Sequence, residues 1–334
     1  MLTLFGFVFM MIGLVLYERS VAARPYDAPP SPHFDGRRFY NPALSKLADD
    51  TSERRSVWVW LFTRTRGNWR TRTVATSKPP ERIHEGILVT FVNHATVLIQ
   101  EAGINIITDP VWAHRVSPIP LLGPVRYVNP GVALRDLPPI DIVLLSHNHY
   151  DHMDLATLRS IARAHKPRIY TGLGNAAYLG RKGIKGAREM DWWDETTDGE
   201  LRITAVPAQH FSARSVTDRN YTLWCGFVLE VRGERVYFAG DTGFGPFADD
   251  IAQRFDSFTL GLIPIGAYDP AWMMRPVHAD PDEALRMHDI LRIRTSIGIH
   301  HGTFRLTDEP QSEPRERIER DRGPRDFRVL DNGG

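Results

Sequence analysis

The sequence predicts an α/β fold in which buried strands alternate with helices. An apolar run from Ile140 to Leu145, interrupted only by Asp141, is bounded by prolines and a serine and is typical of a buried strand. A helix is predicted from about Asp154 to His165. A second helix is predicted to begin at Asp280-Pro281-Asp282-Glu283, where an acidic N-cap precedes proline at the first helical position and glutamate at the third.

A dense set of metal-ligand residues directly follows the first predicted strand. It is the hexapeptide His147-Asn148-His149-Tyr150-Asp151-His152. Three imidazoles and one carboxylate are ligand types that zinc prefers, and both bind in their ordinary charge states at neutral pH. A solvated polar loop is the alternative, but the chain has only 13 histidines in 334 residues, so chance is a poor explanation of this pattern. The hexapeptide therefore predicts a metal site.

Three later segments repeat the arrangement of a strand followed by His or Asp. Each one alone could place a turn or capping residue, but together they predict a centre that holds two metals. Glycines near the ligands allow tight loops and close backbone approach. The segments are Leu201 to Pro207 before Gln209-His210, the hairpin of Val228 to Val231 and Val236 to Ala239 before Gly240-Asp241-Thr242-Gly243, and Ser296 to Ile299 before His300-His301-Gly302.

These motifs resemble the metallo-β-lactamase fold superfamily and, within it, the N-acyl-phosphatidylethanolamine-hydrolysing phospholipase D family. The resemblance runs from about Ile87 to the last predicted strand near Phe327 to Leu330. One departure is Asn93, where the family more usually has glycine. The motifs that carry the resemblance are Asn93-His94-Ala95-Thr96, Thr108-Asp109-Pro110, Leu137 to Asp141, Ser146 to His152, Asp191-Trp192-Trp193, Gln209-His210, Phe238 to Gly243, Ile263 to Tyr268 and Ile299 to Phe304.

The resemblance implies a four-layer αβ/βα sandwich and a site for two Zn²⁺ per chain. It implies that one zinc is held by His147, His149 and His210, and the other by Asp151, His152 and His300. Asp241 would bridge the two metals, with room for a shared water or hydroxide. The same resemblance selects His300 rather than His301 as the ligand. The candidate catalytic residues are Asp151, Asp241 and His278.

The implied activity is that of a zinc hydrolase, a phospholipase D-type phosphodiesterase acting on N-acyl-phosphatidylethanolamine-like lipids. The alternative is a zinc hydrolase of a soluble small molecule, similar to sugar-phosphate lactonases of the same superfamily. Nuclease members usually carry an inserted clamp domain, and no insertion of that size is visible. A non-enzymatic scaffold would be expected to lose ligands, and all seven are present.

The remaining candidate residues are assigned structural roles. Cys225 is the only cysteine, so the sequence allows neither an intramolecular disulfide nor a thiolate-rich metal site. His94 is expected to fix a turn, although it could approach the metals. The histidines outside any ligand pattern are His33, His84, His114, His165 and His288.

The amino terminus carries an uncharged, mostly apolar run of 16 residues from Leu2 to Tyr17. It is short against the ~20 residues that span a bilayer. We expect residues 1–24 to be a membrane anchor or an uncleaved signal segment; a buried core helix is the alternative. The nearby arginines all follow the run, which favours a cytoplasmic catalytic domain, with a periplasmic or secreted location left open.

Residues 25–82 are expected to form a basic and aromatic connector to a catalytic domain at residues 83–334. The part from Ser52 to Arg82 has eight basic and two acidic residues together with three tryptophans, which suits a membrane surface with anionic headgroups. Contact with nucleic acid through phosphates and stacking, and a solvated connector with a few buried tryptophans, are the alternatives. The net charge of +1 gives no argument for a nucleic-acid partner. The expected partner is a membrane phospholipid; the oligomeric state is left open. The charged stretch from Arg315 to Asp326 is expected to be a solvated surface segment.

Overall fold

The computed structural model describes residues 13, 16–45, 57–119 and 121–334, and within them two β-sheets are present. Six strands form the first sheet in their order along the chain. The first three are antiparallel, and the sheet continues parallel from the third strand to the sixth. These strands are β1 (Ile87–Asn93), β2 (Thr96–Glu101), β3 (Ile104–Thr108), β4 (Ile142–Leu145), β5 (Arg168–Gly172) and β6 (Ala187–Met190).

Seven strands form the second sheet, in the order β13-β12-β11-β10-β9-β8-β7. Its first half along the chain is antiparallel, and β10 to β13 run parallel. Arg232 and Gly233 join β9 to β10 with φ values of 49° and 85°, a backbone that suits a two-residue hairpin turn. The strands are β7 (Glu195–Asp198), β8 (Leu201–Val206), β9 (Gly226–Val231), β10 (Glu234–Phe238), β11 (Phe258–Pro264), β12 (Ile293–Ile299) and β13 (Phe327–Arg328).

Helices cover the outer faces of the two sheets. Both helices predicted from the sequence are confirmed: Asp154 caps the first, and Asp280 with Glu283 forms a complete capping box on the other. The helices are α1 (Pro42–Ser45), α2 (Val57–Thr63), α3 (Leu155–His165), α4 (Asn175–Arg181), α5 (Phe247–Arg254), α6 (Ala271–Met274), α7 (Pro281–Ile290) and α8 (Glu313–Asp321), with a 3-10 turn at Leu134–Asp136.

Alternating side chains of the strands build three apolar layers. Ile99 and Phe227 belong to the layer between the two sheets. Leu98, the neighbour of Ile99, packs on the other side with α3 and α4, whereas Val228, the neighbour of Phe227, packs with α5 and α7. Successive strand residues point to opposite faces, so each sheet is covered on both sides. The order helix, sheet, sheet, helix is the four-layer sandwich that the sequence resemblance implies.

Two surface segments differ in detail from expectation. The charged stretch from Arg315 to Asp326 is largely the helix α8, because Ile318 is buried against the core while the charged side chains stay at the surface. The segment expected as a connector lies against the domain: Arg64 pairs with Asp308, and the indole of Trp69 donates to the Glu309 carbonyl.

The apolar run Leu2 to Tyr17 lies almost wholly outside the described residues. Residues 16–21 are helical at its end. No helix within the described ranges is both long and apolar enough to cross a bilayer.

Candidate metal centre

Loops that leave four strands meet at one end of the sandwich. The hexapeptide of ligand-type residues follows β4, His210 follows β8, Asp241 follows β10 and His300 follows β12. Since β3 and β4 are parallel, as are β10 to β12, their carboxyl ends lie at the same edges of their sheets. All seven side chains expected to bind metal lie in this one buried region.

The first group of donors contains only imidazoles. His147 Nε2 lies 2.8 Å from His149 Nδ1, and His210 Nε2 lies 3.2 Å from the same atom. All three donor atoms lie within 4.8 Å of one another. These are the three residues that the sequence assigns to one zinc.

The second group combines a carboxylate with imidazoles. Asp151 Oδ2 lies 3.4 Å from His300 Nε2 and 3.5 Å from His152 Nε2. His94 joins this group, with its Nε2 3.0 Å from the same oxygen. The three residues that the sequence assigns to the other zinc are therefore together, accompanied by one histidine that it does not assign.

Asp241 lies between the two groups. Its Oδ2 atom is 3.0 Å from His300 Nε2 and 3.2 Å from His152 Nε2, and it is 3.7 Å from His210 Nε2 in the first group. The carboxylate is nearly inaccessible to solvent. This is the position that a residue shared by two cations must occupy.

The donor spacing fits divalent cations. Two donors of a tetrahedral site, each ~2.0–2.1 Å from a zinc ion, lie roughly 3.3 Å apart. The closest distances within the two groups, and those from Asp241, lie between 2.8 and 3.7 Å. Several of these atoms are buried without a hydrogen-bond partner in the protein, which is expected of atoms that serve as metal ligands. They are His152 Nε2, His300 Nε2 and Asp241 Oδ1.

The charge states of the two groups differ. Burial lowers the pKa of His149 to about 3, and it lowers the pKa values of His147 and His210 well below the ordinary value. These rings are neutral at pH 7 and offer lone pairs. Burial also lowers the pKa of His152, but nearby carboxylates, Asp241 foremost, outweigh burial and hold it well above the ordinary value. A cation that binds in the second group would therefore compete with a proton for His152.

The backbone around the centre is tightly constrained. His94 and His300 adopt positive φ values of 49° and 60°, which are uncommon for residues with a Cβ and cluster at functional sites. Gly240 has a φ of 62°, and a Cβ there would lie 2.5 Å from Ser146 Cβ. Only glycine allows the loop after β10 to approach the loop after β4 this closely.

Asp109 is not among the candidate site residues, yet it contacts both the start of the hexapeptide loop and the ring of His152. Its buried carboxylate accepts from Ser146 N at 2.8 Å and from the Ser146 hydroxyl, and its Oδ2 lies 2.7 Å from His152 Nδ1. Such a partner fixes the ring and directs Nε2 toward the metal. The available signal was its position directly after β3, the same strand-end rule that identified the ligands.

The two remaining histidines, His278 and His301, differ in how close they lie to the donor groups. His278 is buried, its Nδ1 atom lacks a partner, and it lies 3.9 Å from Asp241 Oδ2. His301 points away from both groups, and its ring stacks on Phe91 at 5.5 Å. His301 belongs to no group of potential metal ligands among the described residues.

The fold and this centre define a class of metal-dependent hydrolase, and comparison with known proteins agrees. Residues 104–301 match the β-lactamase superfamily domain. N-acyl-phosphatidylethanolamine-hydrolyzing phospholipase D 1 of Caenorhabditis elegans is 38% identical over 246 residues, which cover 70% of this chain and 69% of the relative. The chain therefore belongs to the β-lactamase superfamily and, within it, to the family of N-acyl-phosphatidylethanolamine-hydrolysing phospholipases D.

Two further proteins are similar to this chain, one in sequence and one in fold. The mitochondrial N-acyl-phosphatidylethanolamine-hydrolyzing phospholipase D of Saccharomyces cerevisiae is 35% identical over 228 residues, covering 65% of this chain and 48% of the relative. The chain thus matches about half the length of the yeast protein. Among solved structures, an isothiocyanate hydrolase from Delia radicum gut bacteria has a TM-score of 0.60 at 25% identity, covering 74% of this chain and 97% of that one.

Proposed function

We propose that the protein is a dinuclear zinc phosphodiesterase of the phospholipase D type. It cleaves the distal phosphodiester of N-acyl-phosphatidylethanolamine-like lipids with water, releasing phosphatidic acid and the N-acylated amino alcohol. The observation that carries the proposal is the meeting of two donor groups at Asp241, in a chain related to enzymes of that activity.

Zinc is proposed because of the donor set. The seven ligands are imidazoles and carboxylates, which zinc accepts in tetrahedral or five-coordinate sites. When bound, two such cations supply a shared water of lowered pKa and positive charge for the phosphoryl oxygens. The seven proposed ligands are His147, His149, Asp151, His152, His210, Asp241 and His300.

The protein's own groups then position and move protons. Asp241 connects the two donor groups, because its carboxylate lies between them. Asp151 is held by His94, whose Nε2 lies 3.0 Å away. His278 has a buried, unpartnered Nδ1 at the edge of the centre, and burial lowers its pKa to about 4, so its neutral ring is placed to accept a proton during the reaction.

A lipid substrate is supported by exposed apolar side chains near the centre. We call them the apolar rim: Val59, Phe62, Ile119, Leu121, Leu122 and Val216. Phe62 and Leu121 are 87% and 85% exposed, although large apolar side chains are usually buried. Large exposed apolar side chains that gather on one part of a protein mark a place for a membrane or a partner.

The parts of the rim lie side by side. Arg64 and Arg66, shortly after α2, line one cleft with Gly123 and Pro124. These two residues belong to the hairpin that carries Leu121, which is closed by an antiparallel bridge between Arg115 and Val125. The Tyr17 hydroxyl donates to the Pro118 carbonyl in the same hairpin. Glu18, the next residue, accepts from the Thr217 hydroxyl beside Val216.

The rim is attached directly to the metal centre. Val116, at the base of the hairpin, packs in one cluster with Tyr150, the neighbour of Asp151. On the other side Phe211, at the start of the loop that carries Val216, packs on the His149 ring at 4.5 Å. An enzyme seated on a bilayer by this rim meets a phosphodiester in the headgroup layer, without extracting acyl chains into water.

Membrane attachment through residues 1–24, with the catalytic domain in the cytoplasm, is part of the same proposal. An apolar anchor and a basic surface together give stable attachment, whereas either alone gives marginal binding. A chain lacking residues 1–24 should keep its metal and its turnover of soluble phosphodiesters. It should lose rate on anionic vesicles, most strongly at high salt, where attraction to the remaining arginines is screened. Sedimentation and turnover of both chains test this.

The substrate is tested by a panel assay on the zinc-loaded protein. We expect hydrolysis of N-acyl-phosphatidylethanolamine vesicles and, more slowly, of short soluble phosphodiesters, with no cleavage of single-stranded RNA. Asp241→Asn should abolish both activities. Efficient opening of small lactones with no reaction on phospholipid would replace the lipid proposal with the soluble-substrate alternative.

A further inference from the structure

One buried arginine connects the two loops that carry the first donor group. Arg214 lies four residues after His210, and only 4% of it is exposed. Its Nη1 atom donates to the Asn148 carbonyl at 2.9 Å and to the Met153 carbonyl at 3.0 Å. A side chain from the loop after β8 therefore reaches across to the loop after β4, where the hexapeptide lies.

The two carbonyls that Arg214 binds flank most of the hexapeptide. Asn148 separates His147 from His149. Met153 directly follows His152, and its N–H donates to the His149 carbonyl at 2.8 Å within the same turn. A single nitrogen that binds both carbonyls restricts the movement of the start of the hexapeptide relative to its end.

Tyr150 makes the reverse contact with Arg214. Its hydroxyl donates to the Arg214 carbonyl at 2.9 Å, and the centre of its ring lies 3.5 Å from the Arg214 Cζ atom. Tyr150 lies between His149, of the first donor group, and Asp151, of the second. Each side chain thus contacts the loop that carries the other, and we call this pair the Arg214–Tyr150 clasp.

The Arg214 guanidinium is an unfavourable group to bury for packing alone. No carboxylate among the described residues forms an ion pair with it, and its Nε atom is buried without a hydrogen-bond partner. A buried charge is costly unless it is paired, and two carbonyls with one aromatic face offset only part of that cost. An apolar side chain would avoid the charge but would leave the carbonyls of Asn148 and Met153 without this donor.

The loop that carries Arg214 is itself held in place. Asp218 is buried, and its Oδ1 atom accepts from the Arg214 N–H at 3.0 Å and from the Ser215 N–H at 2.8 Å. Arg214 therefore extends from a fixed backbone, as is needed of a group that orients metal ligands.

We propose that Arg214 is a positioning residue of the metal centre and acts through the hexapeptide loop. It holds the carbonyls of Asn148 and Met153 so that the histidines beside them converge with His210 on one cation. The inference rests on the proposed ligand set and not on the lipid substrate, because its consequence is the affinity for metal.

The test is the zinc affinity of the full chain, measured by competition with a chelator. Arg214→Met keeps a long side chain but removes both hydrogen bonds, and we expect the affinity to fall about ten- to a hundredfold. Arg214→Lys should regain most of this affinity, because one ammonium group can donate to both carbonyls. Arg163→Met makes the same change at an exposed position of α3 and should bind zinc as the unchanged protein does.

Thermal unfolding with and without zinc separates positioning from a purely structural role. Zinc raises the unfolding temperature in proportion to its binding free energy, so this rise should shrink in Arg214→Met. A purely structural role would lower the unfolding temperatures of the metal-free and zinc-loaded protein equally. Tyr150→Phe removes only one hydroxyl and should lower zinc affinity about fivefold, so it tests the clasp even if the Arg214→Met protein does not fold.

Unchanged zinc affinity in either Arg214→Met or Tyr150→Phe would overturn the inference. An Arg214→Lys protein that binds zinc as weakly as Arg214→Met would also overturn it, since the carbonyl contacts would then not be the cause. Both results would leave the proposed function intact, because the unchanged protein still binds zinc. An unchanged protein that binds no zinc would overturn both the inference and the proposed function.

Discussion

The metal centre and the apolar rim are neighbours, but the fold holds them in opposite ways. Donor atoms of the centre are buried at strand ends, and partners such as Asp109 fix their orientation. Side chains of the rim project from α2 and from loop tips, with exposures up to 93% at Val216. Chemistry needs donors placed within fractions of an ångström, whereas a lipid surface adapts to whatever apolar area it meets.

This difference predicts how substitutions behave. A change in the metal centre removes a specific donor and should affect metal content or turnover on every substrate. A change in the rim should affect only substrates presented on a membrane.

The largest effect is expected at His300, whose neighbour His301 is a matched control. His300→Ala should remove one metal and reduce turnover about a thousandfold, because a bound cation contributes several kcal/mol of transition-state stabilisation. His301→Ala should keep both metals, since its ring stacks on Phe91 and belongs to neither donor group. Metal analysis of the two variants decides; equal loss of zinc in both would mean that the ligand assignment is wrong.

His278 should separate proton transfer from metal binding. His278→Asn should lower kcat about a hundredfold on soluble and vesicle substrates alike, with metal content unchanged, because a positioned acid or base contributes roughly that much. The exposed His114→Asn is the control and should behave like the unchanged protein. Loss of metal in the His278 variant would mean that His278 is a metal ligand and not a proton-transfer residue.

Asp109 tests whether the support of the centre matters as much as its ligands. Asp109→Asn keeps the size of the side chain but weakens the contact with His152 Nδ1. Metal affinity should fall about ten- to a hundredfold, as is typical when such a partner is lost. Competition with a chelator measures it. Unchanged affinity would remove Asp109 from the account of the centre.

The smallest effect is expected at the rim, and only on membranes. Phe62→Ser with Leu121→Ser should reduce vesicle binding about tenfold, since partial burial of two large apolar side chains contributes at least ~1.4 kcal/mol. Turnover of soluble phosphodiesters should not change. An equal loss of turnover on vesicles and on soluble phosphodiesters would show that the rim does not act on membrane substrates alone.

The same distinction explains what could be predicted from the sequence. The grouping of the seven proposed ligands was predictable because histidine and aspartate directly after strands are uncommon and chemically specific. Asp109 and His94 occupy the same kind of position. However, the sequence does not indicate whether a single residue after a strand binds the metal or only contacts a ligand.

The rim and the packing of the amino-terminal segment could not be predicted in the same way. Leu121 and Phe62 are residue types that usually enter the core, and only the three-dimensional structure shows them exposed. Trp60 and Trp69 were expected at a membrane surface, yet both indoles donate hydrogen bonds to the segment around Asp308 and Glu309. Such contacts join residues about 240 positions apart, beyond the reach of local patterns.

The central claim is a two-metal centre organised around Asp241. Anomalous diffraction at the zinc absorption edge, on crystals of the purified protein, tests it most directly. The account predicts two peaks per chain, about 3.5–4 Å apart, with Asp241 between them. The first should contact His147, His149 and His210, and the second Asp151, His152 and His300. A single peak, or a peak outside these donor groups, would contradict the account.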